Sequence, residues 1–302
     1  MNIRRLLEEA AEAVFPSNIY CIVCGSLIDR SRPYALCDDC VQKIHWITDR
    51  SCARCGKALP ETYNGAATAE GGHLCYDCMA REHYFTRGFS CMTYGLHERE
   101  IMMDIKYHNK GYMAYKMGDV LFDKMEGLIL EAAARGIAPF DIVVPVPVSE
   151  KRLAKRGYNQ SELMARQFLK RWKESAGSAG AAGLNERAGA VGIANRPAAA
   201  VPKLDTGVLY RRKETVMLRS LNPSERRMVL ADAFAVRAGA EGRIKGKSLL
   251  LIDDIYTTGA TADACSKVLL EAGAGAVYLL TLCSGGNRAP EGSEEDAGPN
   301  VE

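Results

Sequence analysis

Two adjacent carboxylates, Asp253 and Asp254, stand between an aliphatic run, Leu249–Ile252, and a small hydroxyl-rich stretch, Thr257, Thr258, Gly259, Ala260 and Thr261. The aliphatic run predicts a buried strand ending on the two acids, and the small residues predict a turn into a helix N-terminus. Such a turn gathers backbone N–H groups at the positive end of the helix dipole, where a phosphate binds. The threonine hydroxyls add hydrogen bonds, and Gly259 lets the backbone approach the anion. Ionised carboxylates only accept hydrogen bonds, so the acid pair suits the vicinal hydroxyls of a ribose. Together these residues predict a site for a sugar phosphate. The plainer reading is a parallel strand that ends in an Asp-capped turn.

A second chemistry is written in the cysteines. Eight of the eleven form four C-x-x-C pairs before residue 80: Cys21/Cys24, Cys37/Cys40, Cys52/Cys55 and Cys75/Cys78. Each pair turns two thiolates to one side of a knuckle, and two knuckles complete a tetrahedral zinc site. Eight ligands predict two structural zinc ions, with redox dithiols as the alternative. Sequential pairing of the knuckles leaves 12 and 19 intervening residues. Interleaved pairing satisfies the spacing too. His73 is a further candidate ligand, although the cysteines already supply enough. Cys91, Cys265 and Cys283 lie in apolar patterns and are expected in the core.

The elements that must position these groups can be read from the remaining pattern. At 302 residues, 47% hydrophobic and 25% charged, the chain has room for one substantial domain and a small one. A net charge of +2 gives no global attraction to nucleic acid, so any such binding must come from local patches. No apolar run is long enough to predict a membrane span. Acids interrupt the apolar stretch over residues 1–17, which reads as an amphipathic helix and not a signal peptide; a cytoplasmic protein is expected.

Residues 18–84 hold the cysteines and too little aliphatic material for a core of their own, so metal binding is expected to supply their folding energy. Over residues 85–284 strands alternate with helices. Strands are expected at Phe89–Tyr94, Asp141–Val148, Ala233–Arg237 and Ala276–Cys283, besides the one before the Thr/Gly turn. Helices are expected from near Glu98, over Tyr112–Ala134, over about Gln160–Trp172, and from the turn to Glu271. This alternation implies an open parallel α/β sheet with its ligand outside the carboxyl ends of the strands. Residues 174–200 read as a flexible Ala/Gly-rich insert, and 285–302 as a disordered acidic tail.

The stretch Leu249–Thr261 resembles the 5-phosphoribosyl 1-pyrophosphate (PRPP) motif of type I phosphoribosyltransferases: four apolar residues, two acids, then T-T-G-x-T. With the four C-x-x-C pairs, V-P-V-P at Val144–Pro147, R-G-Y-N-Q at Arg156–Gln160 and S-E-R-R at Ser224–Arg227, the chain resembles the ComF family (ComFC/GntX-like competence proteins). Leu218 and Val229 depart from that pattern, standing where family members often carry glutamine and asparagine.

The resemblance implies a type I phosphoribosyltransferase-like parallel sheet flanked by helices, with an N-terminal cysteine-rich zinc-ribbon module. It also implies PRPP or a related phosphosugar, bound with Mg²⁺. Thr257–Thr261 would then hold the 5-phosphate and Asp253/Asp254 the ribose hydroxyls, with Lys151, Arg152, Lys155 and Arg156 as candidates for the pyrophosphate. Asparagine at both acids is expected to abolish binding and leave the fold intact. No residue identifies an acceptor for phosphoribosyl transfer. The alternative implied function is a non-catalytic competence protein that binds single-stranded DNA during uptake, with a helicase-type partner.

Overall fold

The computed structural model describes residues 18–48, 50–69, 71–134, 139–181, 200–213, 223–230 and 232–287. The cysteine region contributes two short helices, α1 (Asp38–Lys43) and α2 (Tyr76–Ala80). There follow β1 (Arg87–Thr93), α3 (Leu96–Tyr107), α4 (Gly111–Ala134), β2 (Ile142–Pro145), α5 (Glu150–Arg156) and α6 (Gln160–Ala181). The remainder is β3 (Lys203–Leu204), β4 (Leu209–Arg211), α7 (Pro223–Leu230), β5 (Phe234–Val236), α8 (Glu241–Ile244), β6 (Ser248–Tyr256), α9 (Ala260–Glu271) and β7 (Ala276–Ser284).

Five strands form one parallel sheet in the order β1-β7-β6-β2-β3, while β4 and β5 pair antiparallel apart from it. The expected α/β class is thus borne out. The side-chain period of two divides the aliphatic runs of β6 and β7 between the sheet's faces. Leu250, Ile252, Leu280 and Leu282 pack with α4 and α6; Leu249, Leu251, Val277 and Leu279 pack with α9.

The cysteine region is welded to both layers. Cys21, Ile22, Leu36, Cys40 and Ile44 join the α4/α6 core, whereas Cys52, Cys55, Leu59, Cys75 and Cys78 join the α9 core. The connector between them covers the outer edge of β1: Ile47 N–H donates to the Cys91 carbonyl at 2.8 Å, and Thr93 N–H to the His45 carbonyl at 2.8 Å. An edge strand covered in this way is closed to foreign strands. Buried Glu98 fixes the corner by accepting from the His45 backbone N–H at 2.7 Å and from Gly95 N–H at 2.9 Å. The region shares its apolar contacts with the sheet, so its core need not be its own.

Several expected boundaries shift. β6 does not stop at the acids but continues to Tyr256, because Ile255 and Tyr256 still pair with Cys283 and Ser284 of β7. Residues 174–181 continue α6 instead of opening an insert. Residues 182–199, the leading helix over 1–17 and the tail from 288 onward lie outside the described residues. Among the described residues no helix is long and apolar enough to cross a membrane.

Candidate functional site

The turn between β6 and α9 has the form its residues predict. Gly259 caps α9 with φ +79, in the left-handed region. The first amides of a helix lack intrahelical partners, so those of Ala260, Thr261 and Ala262 are available to an anion. The Thr258 side-chain oxygen is buried in the same turn without a hydrogen-bond partner, although such atoms are normally satisfied. Amides, hydroxyls and the helix dipole therefore converge at the carboxyl end of a central strand.

Beside this turn lies a cleft of about 620 Å³, lined by Asp253, Asp254, Thr257 and Thr261. Six cationic residues line it as well: Arg99, Lys106, Arg152, Lys155, Arg156 and Arg211. Arg99, Arg152 and Lys155 have no acidic partner among the described residues. Tyr94 and Tyr107 add aromatic surface. With six cations against two acids, the cleft lining carries net positive charge.

The acids are more engaged than their sequence suggests. Asp254 is buried and pairs with Lys106 Nζ at 3.0 Å through one oxygen, while the other accepts from Gln160 Nε2 at 2.6 Å. Each oxygen keeps a lone pair for a further donor. Asp253 accepts from Ser161 Oγ at 3.3 Å and from the Asp254 backbone N–H at 2.8 Å. Burial, and then the neighbouring charge of Asp254, push the Asp253 carboxyl up to about 7. The expectation that asparagine at both positions would spare the fold is corrected by the Lys106 pair, since a neutral amide in place of the Asp254 carboxylate would leave a mostly buried ammonium without its anion.

Of the basic residues predicted for the cleft, Arg152, Lys155 and Arg156 line it and Lys151 does not. All four belong to one helix, α5. Positions i, i+3 and i+4 share one helix face, and Lys151 falls off it.

The R-G-Y-N-Q stretch, whose Arg156 alone was expected at the site, braces the acid pair through Gln160. Gly157 closes α5 in the left-handed conformation with φ +80. Arg156 Nε donates to the Lys106 carbonyl at 2.9 Å, Tyr158 Oη to the Ile105 carbonyl at 2.5 Å, and Asn159 Nδ2 to the Val146 carbonyl at 3.1 Å. Lys106, Gln160, Arg99 and Arg211 line the cleft without having been predicted there, and Ser161, the buried donor to Asp253, was not predicted either. Lys106 and Arg211 carried a signal, for each stands in a basic group next to a tyrosine.

The cysteines resolve into two clusters, Cys21/Cys24/Cys37/Cys40 and Cys52/Cys55/Cys75/Cys78, with the ligand sulfurs of each within 4.8 Å of one another. Sequential pairing is the one adopted. His73 stays out, its Nδ1 lying 2.8 Å from the Gly65 carbonyl. Zn–S bonds of about 2.3 Å give a tetrahedron with edges of about 3.8 Å. The Sγ separations of 3.6 Å for Cys24–Cys37 and for Cys55–Cys75 fit that size. In the second cluster a hydrogen bond with Cys55 holds the Cys52 thiol down, whereas one with Cys52 pushes Cys78 up. Four thiolates cannot share that space without a cation, so the donor set suits zinc. Cys91, Cys265 and Cys283 are buried, as expected.

Comparison with known proteins agrees with this arrangement. Residues 10–79 match the model of the double zinc ribbon domain family. The DNA utilization protein YhgH of Escherichia coli (strain K12) is 24% identical over 253 residues, covering 83% of this chain and 90% of YhgH. The competence protein ComFC of Streptococcus pneumoniae is 27% identical over 275 residues, 87% of this chain and 98% of ComFC. The competence protein F of Haemophilus influenzae is 28% identical over 142 residues, 47% of this chain and 49% of that protein. These relatives bear out the ComF resemblance read from the motifs: the chain is a homologue, over most of its length, of ComFC and YhgH, and its cysteines form a double zinc ribbon with two four-cysteine sites suited to structural zinc.

Proposed function

We propose that this protein binds PRPP, or a related phosphosugar carrying a diphosphate, and serves in DNA uptake or utilization as the names of its relatives indicate. The observation that carries this reading is the Gly259-capped turn with the unpartnered Thr258 hydroxyl, placed beside an acid pair and a wall of cations. In this reading the turn residues 257–261 hold the 5-phosphate, Asp253 and Asp254 face the ribose hydroxyls, and Arg99, Arg152 and Lys155 meet the diphosphate. Mg²⁺, when bound, would neutralise part of the diphosphate's charge. If transfer to an acceptor occurs, the acid pair is placed to stabilise positive charge developing at the anomeric carbon.

Calorimetric titration with PRPP and Mg²⁺ tests the reading. Saturable binding that rises in affinity when Mg²⁺ is added is the expected result. Asp254→Asn should abolish it and lower stability by about 3 kcal/mol, because it uncovers the Lys106 ammonium. Absence of any binding by the wild-type chain would sink the proposal.

The pH dependence has a definite sign. With its carboxyl pushed up to about 7, Asp253 must lose a proton to accept from ribose hydroxyls near neutrality. Affinity is therefore expected to rise by up to about tenfold per pH unit below pH 7 and level off above it. Stability runs the other way. The folded chain binds more protons than the unfolded chain between about pH 4 and 7, so this group's contribution falls as pH rises through that window. Asp253→Asn should flatten both profiles.

A second reading is favoured by the cleft's tyrosines beside its cations, since stacking surfaces within a basic groove hold single-stranded nucleic acid. Oligonucleotide binding that weakens steeply with salt and competes with PRPP would favour it.

A further inference from the structure

The back of the phosphate turn is made from the second cysteine cluster. Tyr256 precedes the turn, Thr258 lies within it, and Asp263 sits on the first turn of α9. Each is met by a residue from 57–84. Arg81 donates through Nη2 to Asp77 at 3.2 Å and through Nη1 to the Thr258 carbonyl at 3.5 Å. Asp77 lies between the ligands Cys75 and Cys78 and also pairs with buried Lys57 at 2.5 Å. Lys57 Nζ stands 5.6 Å from the Tyr256 ring centroid.

His83 makes the other link. Its side chain is fully buried, with Nδ1 2.9 Å from Asp263 Oδ2 and Nε2 3.5 Å from Tyr256 Oη. The next residue, Tyr84, donates its backbone N–H to Asp263 at 3.1 Å. Arg54, between the ligands Cys52 and Cys55, donates to the His83 carbonyl at 2.8 Å, and the His83 ring stacks on Phe85 at 4.7 Å. The approach to the turn's glycine is equally close, because a Cβ on Gly259 would lie 3.0 Å from His83 Cε1.

We infer that the metal at Cys52/Cys55/Cys75/Cys78 and the anion at residues 257–261 are thermodynamically coupled, with Arg81 and His83 as positioning residues that transmit between them. The inference rests on the phosphosugar reading of the turn. The physical basis is reciprocity: if an ordered metal knuckle holds the turn in its anion-binding shape, an anion in the turn must hold the metal by the same factor. The first cluster makes no such contacts among the described residues. Its residues pack on the opposite face of the sheet, and Cys24 is exposed.

The test is zinc release from the full chain to a zinc-selective chromogenic chelator, with and without PRPP and Mg²⁺. A fast phase from the exposed cluster, unaffected by PRPP, and a slow phase from the buried cluster, slowed a further tenfold or more by PRPP, are expected. Cys24→Ser should remove the fast phase and so assign it. Arg81→Ala and His83→Gln should retain both zinc ions, weaken PRPP binding tenfold or more and abolish the effect of PRPP on release. If the wild-type chain binds PRPP but neither the release phases nor the partition of zinc at equilibrium with the chelator responds to it, the coupling is overturned and the binding site stands. If the wild-type chain does not bind PRPP, the site reading fails and the coupling falls with it.

Discussion

Gly259→Val is expected to abolish PRPP binding and to destabilise the protein by about 2–4 kcal/mol. Two costs add. The φ of +79 at Gly259 is one a β-branched residue scarcely adopts. The new Cβ would also lie 2.8 Å from Tyr256 Oη and 3.0 Å from His83 Cε1. Neither neighbour can retreat cheaply, because His83 is stacked on Phe85 and bonded to Asp263, and Tyr256 is buried against both rings. The turn itself must yield, which moves the α9 amides off the anion. Gly239→Ala is the control: its φ is +80, but a Cβ there meets nothing within 4 Å. That variant should cost only the backbone penalty of about 1 kcal/mol and bind PRPP as the wild type does. Paired melting curves and titrations separate the two effects. Full affinity in the valine variant would remove the turn from the binding site.

What could be read from the sequence was local in the chain. The acids, the Thr/Gly turn and the helix after it occupy consecutive positions, so residue type and order suffice to describe them. The four knuckles are local too. Their sequential pairing was not, because it depends on which face of the sheet each pair packs against.

The same limit explains the missed cleft residues. Gln160 and Ser161 begin α6 and reach the acids because β2 lies beside β6 in the sheet, whereas Lys106 ends α3, which follows β1, and reaches them across β7. Nothing near Lys106 in sequence announces a carboxylate 148 positions away. β3 and β4 were missed for another reason: at two and three residues they carry too short a pattern for any periodicity. The welded cysteine region was missed because its few apolar residues look inadequate alone, and become adequate only when the sheet supplies the rest of the core.

That shared core sets the size of the effect of metal loss. Cys55→Ser is expected to leave one zinc per chain and to destabilise the whole protein by more than about 4 kcal/mol, whereas Cys24→Ser should also lose one zinc but cost about half as much. Cys55 is fully buried and belongs to the same core cluster as Leu59, Phe85, Leu249 and Leu251, so an unligated knuckle there leaves buried thiols and a hydroxyl inside a core. Cys24 is exposed, with Ser26 Oγ at 3.0 Å, and water can replace its missing bond. Elemental analysis for zinc, read beside thermal melting, checks the order. If the two variants lose stability equally, the second ribbon is not built into the α9 core in the way its contacts indicate, and the close approach of His83 and Arg81 to the phosphate turn would have to be held by something other than metal.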